Sequence, residues 1–145
     1  MWYQYPPHTE MTNSKLQICL VDDDQIYQFT ARKVLESINP ENKILAFFNG
    51  EQAIDYLKTM LDKQDELPDV LFLDINMPVM DGWQFLDAYK AILPSLHKPL
   101  MIYMVSSSVN EQDIEKSKEY GTVTDYIIKP VQREKFLSLL SAFYD

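Results

Sequence analysis

The chain has 145 residues, 46% of them hydrophobic and 24% charged, with a formal net charge of -9 at pH 7. That length suits one domain with its own core, and the composition excludes whole-chain disorder and fibrous repeats. The acidic balance, without a cluster of Lys and Arg, excludes a phosphate-neutralising nucleic-acid surface.

Residues 1–14, MWYQYPPHTEMTNS, mix aromatics, Pro6-Pro7 and small polar residues without periodicity. They predict an N-terminal arm ahead of a domain over 15–145, with disorder, packing on the domain and partner binding through Trp2, Tyr3 and Tyr5 all open. The arm lacks the basic opening and apolar centre of a secretory signal. The longest apolar runs are strand-length, well below the ~20 residues of a membrane-spanning helix. Cys19, the single cysteine, lies between Ile18 and Leu20 and reads as a small buried hydrophobe. One thiol forms no internal disulfide, so a soluble protein of the reducing cytoplasm, with no membrane partner, fits these features.

In chain order, apolar runs at 17–21, 43–47, 70–73, 100–105 and 124–128 predict strands. After the first run, Tyr27, Ala31, Val34, Leu35 and Ile38 recur at helical spacing, and Asn39-Pro40 ends that helix. Asn49-Gly50 opens a second helix carrying Ala53, Ile54, Leu57 and Leu61, and Leu67-Pro68-Asp69 separates it from the third strand. A fourth helix, 110–120, has only Ile114 and Tyr120 clearly apolar, which predicts a shallowly packed element, either mobile or merely exposed. The last segment places Phe136, Leu139, Leu140 and Phe143 on one helical face. Five strand-helix repeats imply a parallel sheet covered by helices on both sides.

The most informative stretch is LFLDINMPVMDG at 71–82, where an apolar strand stops abruptly at Asp74 and Pro78 and Gly82 punctuate the exit. In open parallel sheets ligands bind beyond the carboxyl ends of the strands. The first run is followed by Asp22, Asp23 and Asp24, the third by Asp74, the fourth by Ser106, Ser107 and Ser108, and the fifth by Lys129. Taken singly, Asp74 reads as a turn residue, Ser106 as a helix cap and Lys129 as half of a surface ion pair. At four strand ends of one sheet they read as a site. Crowding Asp22, Asp23 and Asp74 demands compensating positive charge, and an all-oxygen donor set selects a hard cation, with Mg2+ suited to an open site that shares a phosphate. His8 and His97 stand alone, which excludes zinc. Beside a metal and Lys129, Asp74 stays ionised and can attack a phosphoryl group as an oxygen nucleophile.

The runs LVDDD at 20–24, DINMPVMDG at 74–82 and DYIIKP at 125–130, with the hydroxyl after the fourth strand, closely resemble the receiver domain of two-component response regulators from about residue 15 to the C-terminus. The resemblance implies a flavodoxin-like (βα)5 fold, doubly wound, with strand order 2-1-3-4-5. It implies that Asp74 accepts a phosphoryl group from a sensor histidine kinase or histidine phosphotransfer protein. Mg2+ would be held by Asp22, Asp23, Asp74 and the backbone carbonyl of Asn76, and Lys129, followed by a cis bond to Pro130, would face the phosphate. Ser106 takes the switch hydroxyl position, with Ser107 as the one-residue register alternative, and Tyr126 takes the switch aromatic position. Asn76 and Ser108 occupy the positions that tune dephosphorylation.

The implied output is a change in the face built from the fourth helix, fifth strand and fifth helix, read by a downstream protein. Homodimerisation also uses that face in the family, although the polar fourth helix offers no apolar stripe for it. Such a protein is a regulatory phosphoacceptor that catalyses only its own phosphorylation and dephosphorylation. The chain ends with its last helix, as a stand-alone receiver or a fragment of a larger regulator would; the Met1 start and the arm favour the former. Two other readings compete. A pseudo-receiver would keep the fold without phosphorylation. A haloacid-dehalogenase-type phosphatase would use Asp22 as nucleophile and Asp24 as acid/base, against which stand Ile26 and the absence of an acidic motif after Lys129.

Overall fold

The computed structural model describes residues 16–143, so the predicted arm at 1–14 lies outside the described residues. Strands β1 (Gln17–Val21), β2 (Lys43–Phe47), β3 (Val70–Leu73), β4 (Met101–Ser106) and β5 (Val123–Ile128) alternate with helices α1 (Gln25–Ile38), α2 (Gly50–Thr59), α3 (Gly82–Ile92), α4 (Glu111–Glu119) and α5 (Arg133–Ser141). The strands form one parallel sheet in the order β2-β1-β3-β4-β5, as the doubly wound expectation requires. Because β2 and β3 lie on opposite sides of β1, the chain reverses its winding between β1 and β3, where such sheets leave a crevice.

Side chains alternate across a strand, and here both faces are covered. Cys19, Val21, Leu71, Leu73, Ile102 and Met104 point toward Ala53, Ile54 and Leu57 of α2 and Phe85, Leu86 and Tyr89 of α3. Ile18, Leu20, Val70, Phe72, Tyr103 and Val105 point the other way, toward Ala31 and Leu35 of α1 and Phe136 and Leu140 of α5. Cys19 is fully buried, as its apolar neighbours suggested. In α4 only Ser117 is buried, so the polar helix packs shallowly.

Three strand boundaries, two in β4 and one in β5, differ from the sequence expectation. Leu100 stays outside β4 because its N–H donates to the Tyr89 hydroxyl at 2.8 Å, whereas Ser106 joins the strand through its pairing with Ile128. β5 starts one residue early, at Val123, because an irregularity in the β4–β5 ladder lets Val123 pair with Ile102 and Asp125 with Tyr103. No described helix is long and apolar enough to cross a membrane.

Candidate functional site

The ladder carries the site residues. The N–H of Asp22 donates to the Phe47 carbonyl at 3.0 Å, that of Asp74 to Val21 at 2.9 Å and that of Lys129 to Ser106 at 2.9 Å. Each is thus the residue just past a strand, still held by the neighbouring strand's last carbonyl, so its side chain starts from rigid backbone.

The three consecutive acids then separate by geometry. Asp24 caps α1: its Oδ1 accepts the N–H groups of Ile26 and Tyr27, both at 3.0 Å, an arrangement worth ~1 kcal/mol to the helix. Asp22 is 2% exposed and accepts the Asp24 N–H at 2.9 Å, while Asp23 faces solvent. Asp22, Asp23 and Asp74 each offer a carboxylate oxygen, and these oxygens all lie within 4.8 Å of one another. Lys129 enters from β5, its Nζ 2.6 Å from Asp22 Oδ2 and 3.9 Å from Asp74 Oδ1.

One ammonium against three carboxylates leaves the cluster short of positive charge. Asp74 registers the deficit: its carboxyl is pushed up from the ordinary 3.8 to about 6. Burial is the main cause, followed by Asp22; Lys129 and the Ile75 N–H, which donates to Asp74 Oδ1 at 2.8 Å, pull the other way, and Asp23 raises it further. A donor set made wholly of carboxylate oxygens, with excess negative charge at a crevice, fits a hard divalent cation.

The remaining candidates surround this cluster. Asn76 is exposed two residues beyond Asp74. Ser106 is 2% exposed at the end of β4, and its Oγ accepts the Ser108 N–H at 3.1 Å; Ser107 is exposed. The Ser108 hydroxyl donates to Asp113 Oδ2 at 2.9 Å, and its carbonyl accepts from the Tyr126 hydroxyl at 2.9 Å, which ties β5 to the loop before α4. The peptide bond Lys129-Pro130 is cis. His97 is an exposed loop residue, and among the described residues the acid trio is the only group of three or more His, Cys, Asp or Glu placed to hold a metal.

Sequence reasoning missed Gln28 and the parts that Gly82 and Tyr27, named only as a turn glycine and a stripe residue, play at the site. Gln28 is buried, and its amide donates to the carbonyls of Leu20 at 3.1 Å, Asp22 at 3.1 Å and Phe47 at 2.9 Å, which fastens α1 to the strand ends beneath Asp22. Its one visible signal was a polar residue in register with Ala31 and Leu35 on the buried stripe. Gly82 donates its N–H to the Ile75 carbonyl at 2.7 Å, and a Cβ there would stand 2.4 Å from the Asp74 carbonyl oxygen, so only glycine lets α3 start so close to the site. Tyr27 packs against the core cluster as its spacing predicts, and it also places its ring under the Lys129 ammonium, 4.4 Å from Nζ.

Residues 18–141 match the family profile of the response regulator receiver domain. The chain belongs to that family. A 121-residue stretch, 81% of this receiver chain, is 36% identical to a protein-glutamate methylesterase/protein-glutamine glutaminase from Carboxydothermus hydrogenoformans, of which it covers 30%. A two-component response regulator from Oryza sativa subsp. japonica, ORR1, is 27% identical over 80% of this chain and 50% of its own length. The receiver therefore spans half or less of these curated relatives. Among solved structures, a two component response regulator from Cytophaga hutchinsonii superposes with a TM-score of 0.78 at 25% identity, over 90% of this chain and 98% of that one. The CheX-CheY-BeF3-Mg2+ complex from Borrelia burgdorferi gives 0.71 at 27% identity, over 88% and 89%. The five-stranded receiver fold expected from the motifs is thus the observed one.

Proposed function

We propose that this receiver accepts a phosphoryl group on Asp74 from the phosphohistidine of a sensor kinase or phosphotransfer protein, in a Mg2+-dependent reaction. The observation that carries the proposal is the convergence of Asp22, Asp23 and Asp74 within 4.8 Å, with Lys129 bridging Asp22 and Asp74. Asp22, Asp23, Asp74 and the Asn76 carbonyl are the groups to hold Mg2+, which when bound supplies positive charge to the acids and to a phosphoryl oxygen. The Mg2+ and BeF3 in the Borrelia burgdorferi CheX-CheY complex support the assignment.

In the transfer an Asp74 carboxylate oxygen forms the new bond to phosphorus as the P–N bond to the histidine breaks, and the imidazole leaves with the bonding electron pair. Lys129 offers its ammonium to one phosphoryl oxygen, and Ser106 its hydroxyl, which has its own proton to donate although its oxygen already accepts from Ser108. The modified carboxylate then carries about −1.5 to −2 charges, by analogy with other phosphorylated side chains. Ser106 and Tyr126 transmit the change to the face formed by α4, β5 and α5, where a downstream protein reads it. Asn76 and Ser108 set how readily water reaches the acyl phosphate.

The test is incubation with acetyl phosphate and Mg2+, followed by intact mass and peptide mapping. The expected result is one phosphoryl adduct on Asp74, absent from Asp74→Asn and absent in EDTA. An adduct on Asp22 would indicate the phosphatase chemistry, and no adduct on folded, Mg2+-bound protein would indicate a pseudo-receiver; either overturns the proposal.

A further inference from the structure

Lys129 has three N–H donors and no acceptor. One is taken by Asp22 Oδ2 at 2.6 Å, and Asp74 Oδ1, at 3.9 Å, lies within ion-pair reach but beyond hydrogen-bond length. The Lys129 side chain as a whole is only 18% exposed. A further side is closed by the Tyr27 ring, whose centroid lies 4.4 Å from Nζ, well inside the ~6 Å range of a cation–π contact.

We propose that Tyr27 is a positioning residue for Lys129: its ring gives the ammonium a dry, electron-rich wall along which it shifts from Asp22 toward the group on Asp74. This inference rests on the function proposed above. The ring is placed by the same acidic run that supplies the metal ligands, because Asp24 caps α1 by accepting the Tyr27 N–H and so fixes that first turn. The ring, and not the hydroxyl, is the working part. The Tyr27 hydroxyl oxygen is buried without a hydrogen-bond partner, an arrangement that favours neither packing nor polar satisfaction. Burial and the charges of Asp22 and Asp74 hold its ionisation above the ordinary tyrosine value, so the wall stays neutral. An aliphatic side chain there would leave a buried cation against hydrocarbon, and Lys129 would turn outward to water, where its charge is screened from Asp74.

The experiment compares wild type with Tyr27→Phe and Tyr27→Leu, using Tyr27→Met as a second non-aromatic variant should the leucine protein fail to fold. In the metal-free protein, carbon–proton spectra of labelled lysine read the Lys129 ε-methylene. Its protons should be displaced upfield by the ring in wild type and Tyr27→Phe, and return to the ordinary position without the ring. With Mg2+ and acetyl phosphate, loss of the ring should slow phosphorylation about three- to thirtyfold, the rate equivalent of an ordinary cation–π contact. Tyr27→Phe should react like wild type, and Mg2+ affinity should not fall in any of them.

The inference is overturned by a wild-type rate in the non-aromatic variants, by Tyr27→Phe being as slow as they are, by a parallel loss of Mg2+ affinity, or by an undisplaced Lys129 signal in wild type. If wild type takes up no phosphoryl group, it is the proposed function that fails. The Lys129 signal then decides on its own whether Tyr27 holds the ammonium.

Discussion

Replacing Asp74 by asparagine should make the metal-free protein more stable at neutral pH, because it removes a charge the fold tolerates poorly. The Asp74 carboxyl ionises at about 6 in the folded chain against an ordinary 3.8, so the folded state prefers the protonated form. Below the lower value neither state is ionised and the site exerts no penalty; the penalty grows as pH rises through the interval and is complete above the folded value. At ~1.36 kcal/mol per pH unit, that interval corresponds to ~3 kcal/mol at pH 7.5 and ~1 kcal/mol at pH 4.5. Asparagine preserves the shape and an oxygen that can accept the Ile75 N–H, so it stands in for the neutral acid. Urea unfolding in EDTA, followed by circular dichroism from pH 4.5 to 8, should show the Asp74→Asn advantage growing by ~2 kcal/mol across that span at constant m-value. Adding Mg2+ should stabilise wild type by mass action and narrow the gap, since a bound cation favours the ionised carboxylate. A variant less stable than wild type at pH 7.5 in EDTA, or an advantage that does not change with pH, would refute the account of Asp74 as a buried, under-compensated charge.

Other substitutions probe the supports of the site. Gly82→Ala forces a Cβ against the Asp74 carbonyl, so it should lose ~1–3 kcal/mol in urea unfolding and weaken Mg2+ binding in parallel; an unchanged Mg2+ titration would show that α3 does not set the position of Asp74. Gln28→Met keeps volume but removes an amide whose two N–H groups are shared among three carbonyls, and a loss of ~2–3 kcal/mol should appear in the same assay. Val79, a β-branched residue at φ 67° in the loop between β3 and α3, holds a strained backbone on an exposed side chain. Val79→Asn should raise stability by ~1 kcal/mol, read as a higher urea midpoint, because asparagine tolerates that conformation.

The sequence revealed the sheet better than the site. β3 is a continuous buried apolar run, β1 is apolar and buried after Gln17, and the half-buried edge strand β2 is apolar after Lys43, so their carboxyl ends were legible from their hydrophobic patterns. β4 was displaced by one residue and β5 lengthened by one at its start because a tyrosine hydroxyl and a ladder irregularity, both tertiary features, decide where pairing begins. The strand-end rule brought Asp22, Asp74 and Lys129 together before any coordinates, since topology alone places those positions side by side. It gave no means of dividing Asp22, Asp23 and Asp24 among their different surroundings. One carboxylate is buried against a lysine, one is exposed and one caps a helix, and only the direction of each side chain separates them. Tyr27 and Gln28 were hidden for a related reason: a helical stripe shows which residues face inward, not whether they meet a hydrocarbon or a charge.

The polar fourth helix illustrates how that hidden information bears on the proposed switch. Its composition predicted shallow packing, and α4 is indeed fastened at its surface. The Lys116 ammonium lies 4.6 Å from the Trp83 ring centroid, Tyr120 stacks on Trp83 at 5.8 Å, and the Tyr120 hydroxyl donates to Asp87 at 3.1 Å. Contacts of these kinds contribute ~0.5–1.5 kcal/mol each when partly exposed. Together they amount to ~1.5–4.5 kcal/mol, within the ~5.5 kcal/mol that inverts a two-state population from 1:99 to 99:1. A helix buried like α3 could not be re-docked by a change of that size, because moving it would open the core around Phe85 and Tyr89. The charge that the proposed phosphorylation would place on Asp74 would therefore be matched to α4, whose attachments are weak enough for a local electrostatic change to rearrange.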